Sequence, residues 1–156
     1  MKKNVPVSPC LQPAPNVLVS CRNAKGENNA LAVAYCCNCS FDPPMVMVGI
    51  VPSRHSYAMV KESGCFVVNL VPKAYRGSRS GRDEDKLKAK NVRLAEGEKV
   101  NAPILSDCPV NIECTVVDSI RTGSHEMFVG KIEAVHADTE MLNEKGEIDF
   151  SKLDLL

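Results

Sequence analysis

The residues best equipped for chemistry fall in a few short clusters. Ser53-Arg54-His55-Ser56 sets two hydroxyls, a guanidinium and an imidazole just after the apolar run Met45 to Val51. Backbone N–H groups at a helix start, with hydroxyl and guanidinium donors beside them, form a site for an anion such as a phosphate. The same tetrapeptide also reads as a plain helix cap with a surface arginine, and taken alone it favours that reading. Lys86, at the end of Gly81-Arg82-Asp83-Glu84-Asp85-Lys86, carries the same ambiguity. Its compact ammonium suits a phosphate as a point charge, yet a lysine in a charged run is ordinarily solvated. His125, in Gly123-Ser124-His125-Glu126, offers an imidazole, a side chain that can donate a hydrogen bond or take up a proton. An exposed turn histidine is the commoner case.

Two further stretches could meet a flat ligand. Asn28, Asn29 and the positions Ala30, Ala32 and Ala34 offer small side chains, so the backbone can come close to a ring. A strand packed against something bulky would look the same. Cys39 and Ser40 precede Asp42-Pro43-Pro44, where consecutive prolines stiffen the loop and remove two N–H donors. Cys36 to Cys39 has a C-x-x-C spacing, which raises metal or redox chemistry. Zinc sites normally pair two such knuckles, and Cys108 and Cys114, with five residues between them, supply no second one. Neighbouring strand residues face opposite ways, so Cys36 and Cys37 fit packing better than chelation. No metal is expected.

The elements that must hold these residues follow a period of two. Val17 to Arg22 reads as a strand, Asn23-Ala24-Lys25-Gly26 as a turn, and Asn29 to Cys37 as the partner strand. Met45 to Val51 is apolar on both faces, as a central strand would be. Ser53 is expected to cap a short helix with Tyr57 and Val60 inward and Gly64 ending it. Cys65 to Val71 reads as a buried strand. Residues 72 to 101 are polar and charged and predict a loop with one short helix. Val110, Ile112, Cys114 and Val116 alternate with Asn111, Glu113, Thr115 and Val117 in the manner of a half-buried strand. Arg121 to Ser124 reads as a turn into a long strand, Met127 to Ala137, which contains Gly130, and Asn143-Glu144-Lys145-Gly146 as another turn. Six strands with one or two short helices predict a mainly β chain closed into a barrel with excursions. Neither the alternating helices of a Rossmann unit nor its G-x-G-x-x-G motif is present.

The chain's 156 residues amount to one domain, and 44% hydrophobic content can fill its core. Nineteen basic residues balance nineteen acidic ones, so there is no electrostatic footprint for nucleic acid or an anionic membrane. No run approaches the ~18 apolar residues of a membrane span, and the first residues lack the apolar core of a signal peptide. A cytoplasmic location is expected. The eight cysteines then act as small hydrophobes and not as a disulfide framework, with Cys21, Cys36, Cys37, Cys65 and Cys114 inside apolar runs.

Four segments taken in order carry a resemblance: Asn28 to Ile50, Pro52 to Val71, Ser80 to Lys86, and Ala102 to Asp138. Together they resemble the flavin reductase-like family, with the flavoredoxin-type proteins the nearest branch, over about Pro15 to Phe150. The resemblance implies a Greek-key-like split β-barrel, a homodimer, and FMN bound near the dimer interface. It implies that Arg54 and Ser56 contact FMN and that Lys86 reaches in as a phosphate ligand. It also implies flavin contacts from Asn28 and Asn29 at the start of their strand, from Ala34 and from Tyr35, where many relatives carry Trp. The backbone of Cys39 and Ser40 would line the isoalloxazine, and His125 would touch cofactor or substrate. Relatives usually continue past the segment matching Phe150 to Leu156 into an aromatic-bearing strand that contributes ring contacts; this sequence stops at Leu156, so that element is either absent or lies beyond it.

Three activities share such an architecture. One is an NADH- or NADPH-dependent flavin reductase. Another is a flavoredoxin-like carrier that passes electrons to a protein partner or ferric iron. The third is a flavin-binding module with no reaction of its own. In the first two the cofactor supplies the redox chemistry and the protein supplies position and electrostatics.

Burying a phosphate dianion needs compensating charge. If Lys86 supplies it, Lys86→Ala should weaken FMN binding by about 1.5–3 kcal/mol, the range for hydrogen bonds to charged groups. Riboflavin affinity should hardly change, and Lys88 and Lys90 serve as controls. Equal losses for FMN and riboflavin would show that Lys86 does not serve the phosphate.

Overall fold

Two five-residue stretches with one pattern make the simplest turns. In Asn23-Ala24-Lys25-Gly26-Glu27 the Asn23 Oδ1 accepts from the N–H groups of Lys25 and Glu27, at 3.0 and 2.9 Å. In Asn143-Glu144-Lys145-Gly146-Glu147 the Asn143 Oδ1 does the same for Lys145 and Glu147, at 2.9 Å each. A short side-chain amide that bonds its own backbone stands in for a turn of main chain. The computed structural model that shows this describes residues 1–73, 87 and 91–155.

In chain order the strands are β1 (Val17–Arg22), β2 (Asn28–Val33), β3 (Cys36–Ser40) and β4 (Met45–Ile50), then helix α1 (His55–Ser63). There follow β5 (Cys65–Leu70), β6 (Leu94–Glu96), β7 (Pro103–Leu105), β8 (Val110–Arg121) and β9 (Glu126–Ala137). Seven strands form one antiparallel sheet in the order β2-β1-β5-β8-β9-β4-β3, and β6 pairs with β7 separately. The sheet's two outermost strands, β2 and β3, are successive parts of one run, broken only at Ala34 and Tyr35. At that break Gly49 N–H donates to the Tyr35 carbonyl at 2.8 Å. The sheet therefore curls until a single kinked run serves both edges. Because β2 and β3 follow each other along that run, they do not pair side by side. The result is a split barrel, not the fully closed one that the turn spacing predicts.

The curl encloses Val19, Val48, Phe66, Val68 and Phe128, with Met59 and Val60 of α1 closing over them. Strand β9 crosses this core at Gly130, where a Cβ would lie 2.5 Å from Phe66 Cζ and 2.8 Å from Cys114 Cβ. The helix ends as expected, with Gly64 at φ 68° donating to the Val60 carbonyl at 2.9 Å. Its start differs: the N-cap residue is Arg54, one beyond Ser53, and no side chain caps it. Strand β4 has partners on both sides, but Met45 and Met47 are only half-buried, so one of its faces is partly open.

The largest departure concerns β8. Its polar positions predict a solvent face, yet Asn111 is 6% exposed and Glu113 0%. The chain from Gly97 to Leu105 lies over that face, and the polar side chains hold it there. Asn111 Nδ2 donates to the Leu105 carbonyl at 3.1 Å and to Asn69 Oδ1 at 2.8 Å, and Asn69 Oδ1 also accepts from Leu105 N–H at 3.1 Å. Glu113 Oε1 accepts from the N–H groups of Lys99 and Val100 at 2.8 and 3.0 Å, while Oε2 stands 2.5 Å from His136 Nε2. On β5, Cys65 and Val67 face the same covering segment, packing with Val100, Ala102 and Ile104. That explains why the strand is apolar on both faces. The short helix expected between 72 and 101 falls on residues outside the described ones.

Burial pushes the Glu113 carboxyl up, but His136 and the backbone N–H groups of Lys99, Val100 and Glu98 outweigh it and hold the group below its ordinary value. A depressed folded-state value means that the stabilisation is complete above the unfolded carboxyl's pKa of about 4.5 and is lost as pH falls through the folded value. Glu113→Gln should lower stability by about 1–3 kcal/mol at neutral pH, from bonds left unmade. In urea melts the two proteins should converge below pH ~4. A gap of equal size in acid would show that the charge of Glu113 is not what matters.

Candidate functional site

The site begins with the kinked run from Asn28 to Ser40, which carries six of the residues singled out in the sequence. Successive side chains of β2 take opposite faces, and that separates Asn28 from Asn29. Asn28 turns outward, where its Oδ1 accepts from Arg22 Nε at 2.8 Å. Arg22 in turn reaches Glu96 and Asn101, at 2.7 to 2.9 Å, and ties the β6–β7 hairpin to the barrel. Asn28 is thus committed to structure on the side away from Asn29. Asn29 is buried, and its Nδ2 donates to Ser56 Oγ at 2.7 Å. Ser56 is buried in the first turn of α1, with its hydroxyl hydrogen still available to donate. Arg54, exposed at the N-cap, keeps its guanidinium free of any ion pair among the described residues.

Further along the run, Ala32 and Ala34 are exposed and carry nothing beyond Cβ, so the backbone there is open to a flat partner. Tyr35 follows, 46% exposed, and its ring lies 4.7 Å from that of His125, tilted by 55°. The imidazole is also held by Ser124, whose Oγ is 2.8 Å from Nδ1, and the His125 carbonyl accepts from Thr122 N–H and Oγ1 at 2.9 Å each. Two turn residues far apart in sequence are thereby placed together. Beyond them β3 is irregular: Asn38 pairs with Val46 and Ser40 with Met45, so Cys39 is an inserted residue of a bulge. A bulge bends its strand and frees one residue's backbone from the ladder, here Cys39, while Ser40 stays paired with Met45. Lys86 lies outside the described residues.

The cysteines divide in a way that the sequence does not foretell. Cys21, Cys65, Cys108 and Cys114 are buried, while Cys10, Cys37 and Cys39 are exposed. Cys37, expected inside, stands on the open face of β3. Burial, then the neighbouring Cys37 and Cys39, push the Cys36 thiol up to about 11, and burial with Cys37 raises Cys39 as well. Thiols so raised are largely protonated at neutral pH, and protonated thiols are poor nucleophiles and ligands. Among the described residues no group of three His, Cys, Asp or Glu side chains is arranged to hold a metal ion.

Sequence reasoning missed Glu126. It is 7% exposed and accepts from the Tyr57 hydroxyl, with Ser119 Oγ at 2.8 Å and Lys61 Nζ at 3.6 Å. Its only signal was an acid next to His125 at the start of an apolar strand.

An exposed arginine and a hydroxyl at a helix start, small residues on an open strand, and an imidazole beside an aromatic ring have the donor set for a phosphate-bearing planar cofactor. With the split barrel, they define a flavin-type domain. The profile of the flavin reductase-like domain matches residues 11–150, and the chain belongs to that family. Superposition gives a TM-score of 0.90 with a flavoredoxin of Desulfovibrio vulgaris Miyazaki F, 28% identical, covering 97% of this chain and 85% of that one. A flavoredoxin of Methanosarcina acetivorans gives 0.89 at 29% identity, covering 100% and 85%. An uncharacterized protein of Archaeoglobus fulgidus is 37% identical over 64% of this chain and 60% of its own length. An NADH:riboflavin 5'-phosphate oxidoreductase of Streptomyces pristinaespiralis is 25% identical over 75% of this chain and 67% of its own. The curated relatives at 32–37% identity are matched over only 50–65% of their length. Among the described residues no helix is long and apolar enough to cross a membrane.

Proposed function

We propose that the chain is an FMN-binding oxidoreductase that takes electrons from NADH or NADPH. The phosphate is held at the start of α1 by Arg54 and Ser56. The ring lies along Ala34, Tyr35 and the Cys39–Ser40 backbone, with His125 toward its polar edge. Reduced flavin is anionic there, and an imidazole can donate to it or become cationic. Asn29 orients Ser56, and the Oδ1 of Asn28 is engaged by Arg22. The observation that carries this reading is that one run of chain brings Asn29 to Ser56 and Tyr35 to His125. A cofactor with a phosphate end and a flat ring end calls for such a pair of contacts along one run.

A second reading is favoured by the flavoredoxin likenesses. In it the chain keeps its FMN and exchanges electrons with a protein partner or ferric iron. Mixing purified protein with FMN and either nicotinamide, without oxygen, separates the two. Fast loss of the yellow colour supports the reductase, and bleaching only when a partner is added supports the carrier. Protein that stays colourless after incubation with FMN rejects both.

We also propose a homodimer. The dimer rests on the family resemblance, and Val117 and Ile120 on β8, each about half exposed, are apolar side chains that such an interface would cover. Sedimentation at micromolar concentration should show a species larger than 17.0 kDa. A monomer alone would reject it.

A further inference from the structure

Glu126 opens β9 directly after His125, and its carboxylate gathers side chains from two other elements. The Tyr57 hydroxyl, from the first turn of α1, donates to Oε2. Ser119 Oγ of β8 donates to Oε1 at 2.8 Å, and Lys61 Nζ of α1 stands 3.6 Å from Oε2. Lys61 also donates to Tyr57 Oη at 3.0 Å and sits 5.3 Å from the centre of its ring. The Tyr57 ring leans on Phe128, with centroids 5.7 Å apart, so its hydroxyl is aimed by packing. The Tyr57 and Ser119 bonds, in that order, hold the Glu126 carboxyl below its ordinary value despite burial, so it stays charged and a strong acceptor at neutral pH.

The neighbours in sequence give this cluster its meaning. One residue before Tyr57, Ser56 is tied to Asn29. One residue before Glu126, His125 lies against Tyr35 with its ring tilted by 55° and is bonded to Ser124. Strand pairing already sets Ile50 of β4 opposite Glu126, and the Tyr57–Glu126 bond fixes how the start of α1 sits on that frame, one residue from each half of the site. A ligand that reaches both halves gains affinity only when their separation matches its own length, as for any linked pair of binding groups. We infer that Glu126, acting through Tyr57, is a positioning residue that sets the distance between the phosphate end and the ring end of the cofactor site. This rests on the FMN reading above. A plain structural staple would use the same bonds, and a comparison of two ligands tells the alternatives apart.

FMN spans both halves, whereas riboflavin meets only the ring half. Tyr57→Phe removes the hydroxyl and keeps the ring against Phe128. In flavin-fluorescence titrations of the full chain, Tyr57→Phe should raise the FMN Kd about tenfold, the effect of one lost hydrogen bond, while the riboflavin Kd stays within about twofold. Glu126→Gln, which keeps its shape and can still accept one bond, should give a smaller loss in the same direction. It also carries the same criterion if Tyr57→Phe does not fold. Equal losses for both ligands, or a lower melting temperature with both affinities kept, make the tether structural and overturn the inference. Wild-type protein that binds neither flavin overturns the FMN reading itself, and the inference with it.

Discussion

The hydrogen bond from Gly49 N–H to the Tyr35 carbonyl, 2.8 Å long, marks where one run of chain passes from one edge of the sheet to the other. Most of the architecture depends on that passage. Residues before it pair with β1 and residues after it pair with β4, so the sheet must curl to bring those two strands within one strand's length. The curl creates the enclosed core, and it seats α1 over that core at the end of β4. The same kink sets Asn29 and Tyr35 on one run, Asn29 beside the start of α1 and Tyr35 beside the start of β9. A straight strand here would leave an open sheet, and Asn29 would not reach Ser56.

The second structural decision is polar. Asn69, Asn111 and Glu113 project from β5 and β8 into a face that a seven-stranded sheet alone would leave to water. They take up the main chain of residues 97–105 instead. Ser20 joins them by donating to the Pro103 carbonyl at 2.5 Å. Buried polar groups are costly unless satisfied, and among the described residues none of the buried side-chain nitrogen or oxygen atoms lacks a partner. These bonds fix the β6–β7 hairpin in place, and Arg22 secures its outer side through Glu96 and Asn101. The long excursion is thus held where it rejoins the barrel.

Charge is handled locally in a chain with no net charge. Glu126 and Glu113 are both buried acids kept ionised by donors, but the donors differ. Glu113 is served largely by backbone N–H groups and shapes a loop. Glu126 is served by side chains from α1 and β8 and stands beside the candidate site. Arg54 remains exposed and unpaired among the described residues, the one cation there offered at the start of a helix. On β3, burial raises the thiols of Cys36 and Cys39, which leaves the imidazole of His125 and the guanidinium of Arg54 as the polar groups offered at the candidate site.

Local chemistry was legible in the sequence. The two Asn-x-Lys-Gly-Glu turns, the Gly64 helix stop and the doubly apolar strand at Cys65 each follow from interactions within a few residues. The candidate residues Asn29, Tyr35, Ser56 and His125 could be named by type and by resemblance for the same reason. Their partners could not be read. Asn29 meets Ser56 only because the sheet curls, while Tyr35 meets His125 and Glu126 meets Tyr57 because β4 pairs with β3 on one side and β9 on the other. Whether Asn111 and Glu113 face water or main chain depends on where a distant hairpin lands. Likewise Asn28 and Asn29 look alike in sequence, and only strand alternation within the folded sheet sends one to Arg22 and the other to the helix. Periodicity reports which residues share a face. What covers that face is set by contacts between segments far apart along the chain, and the tertiary structure alone decides those.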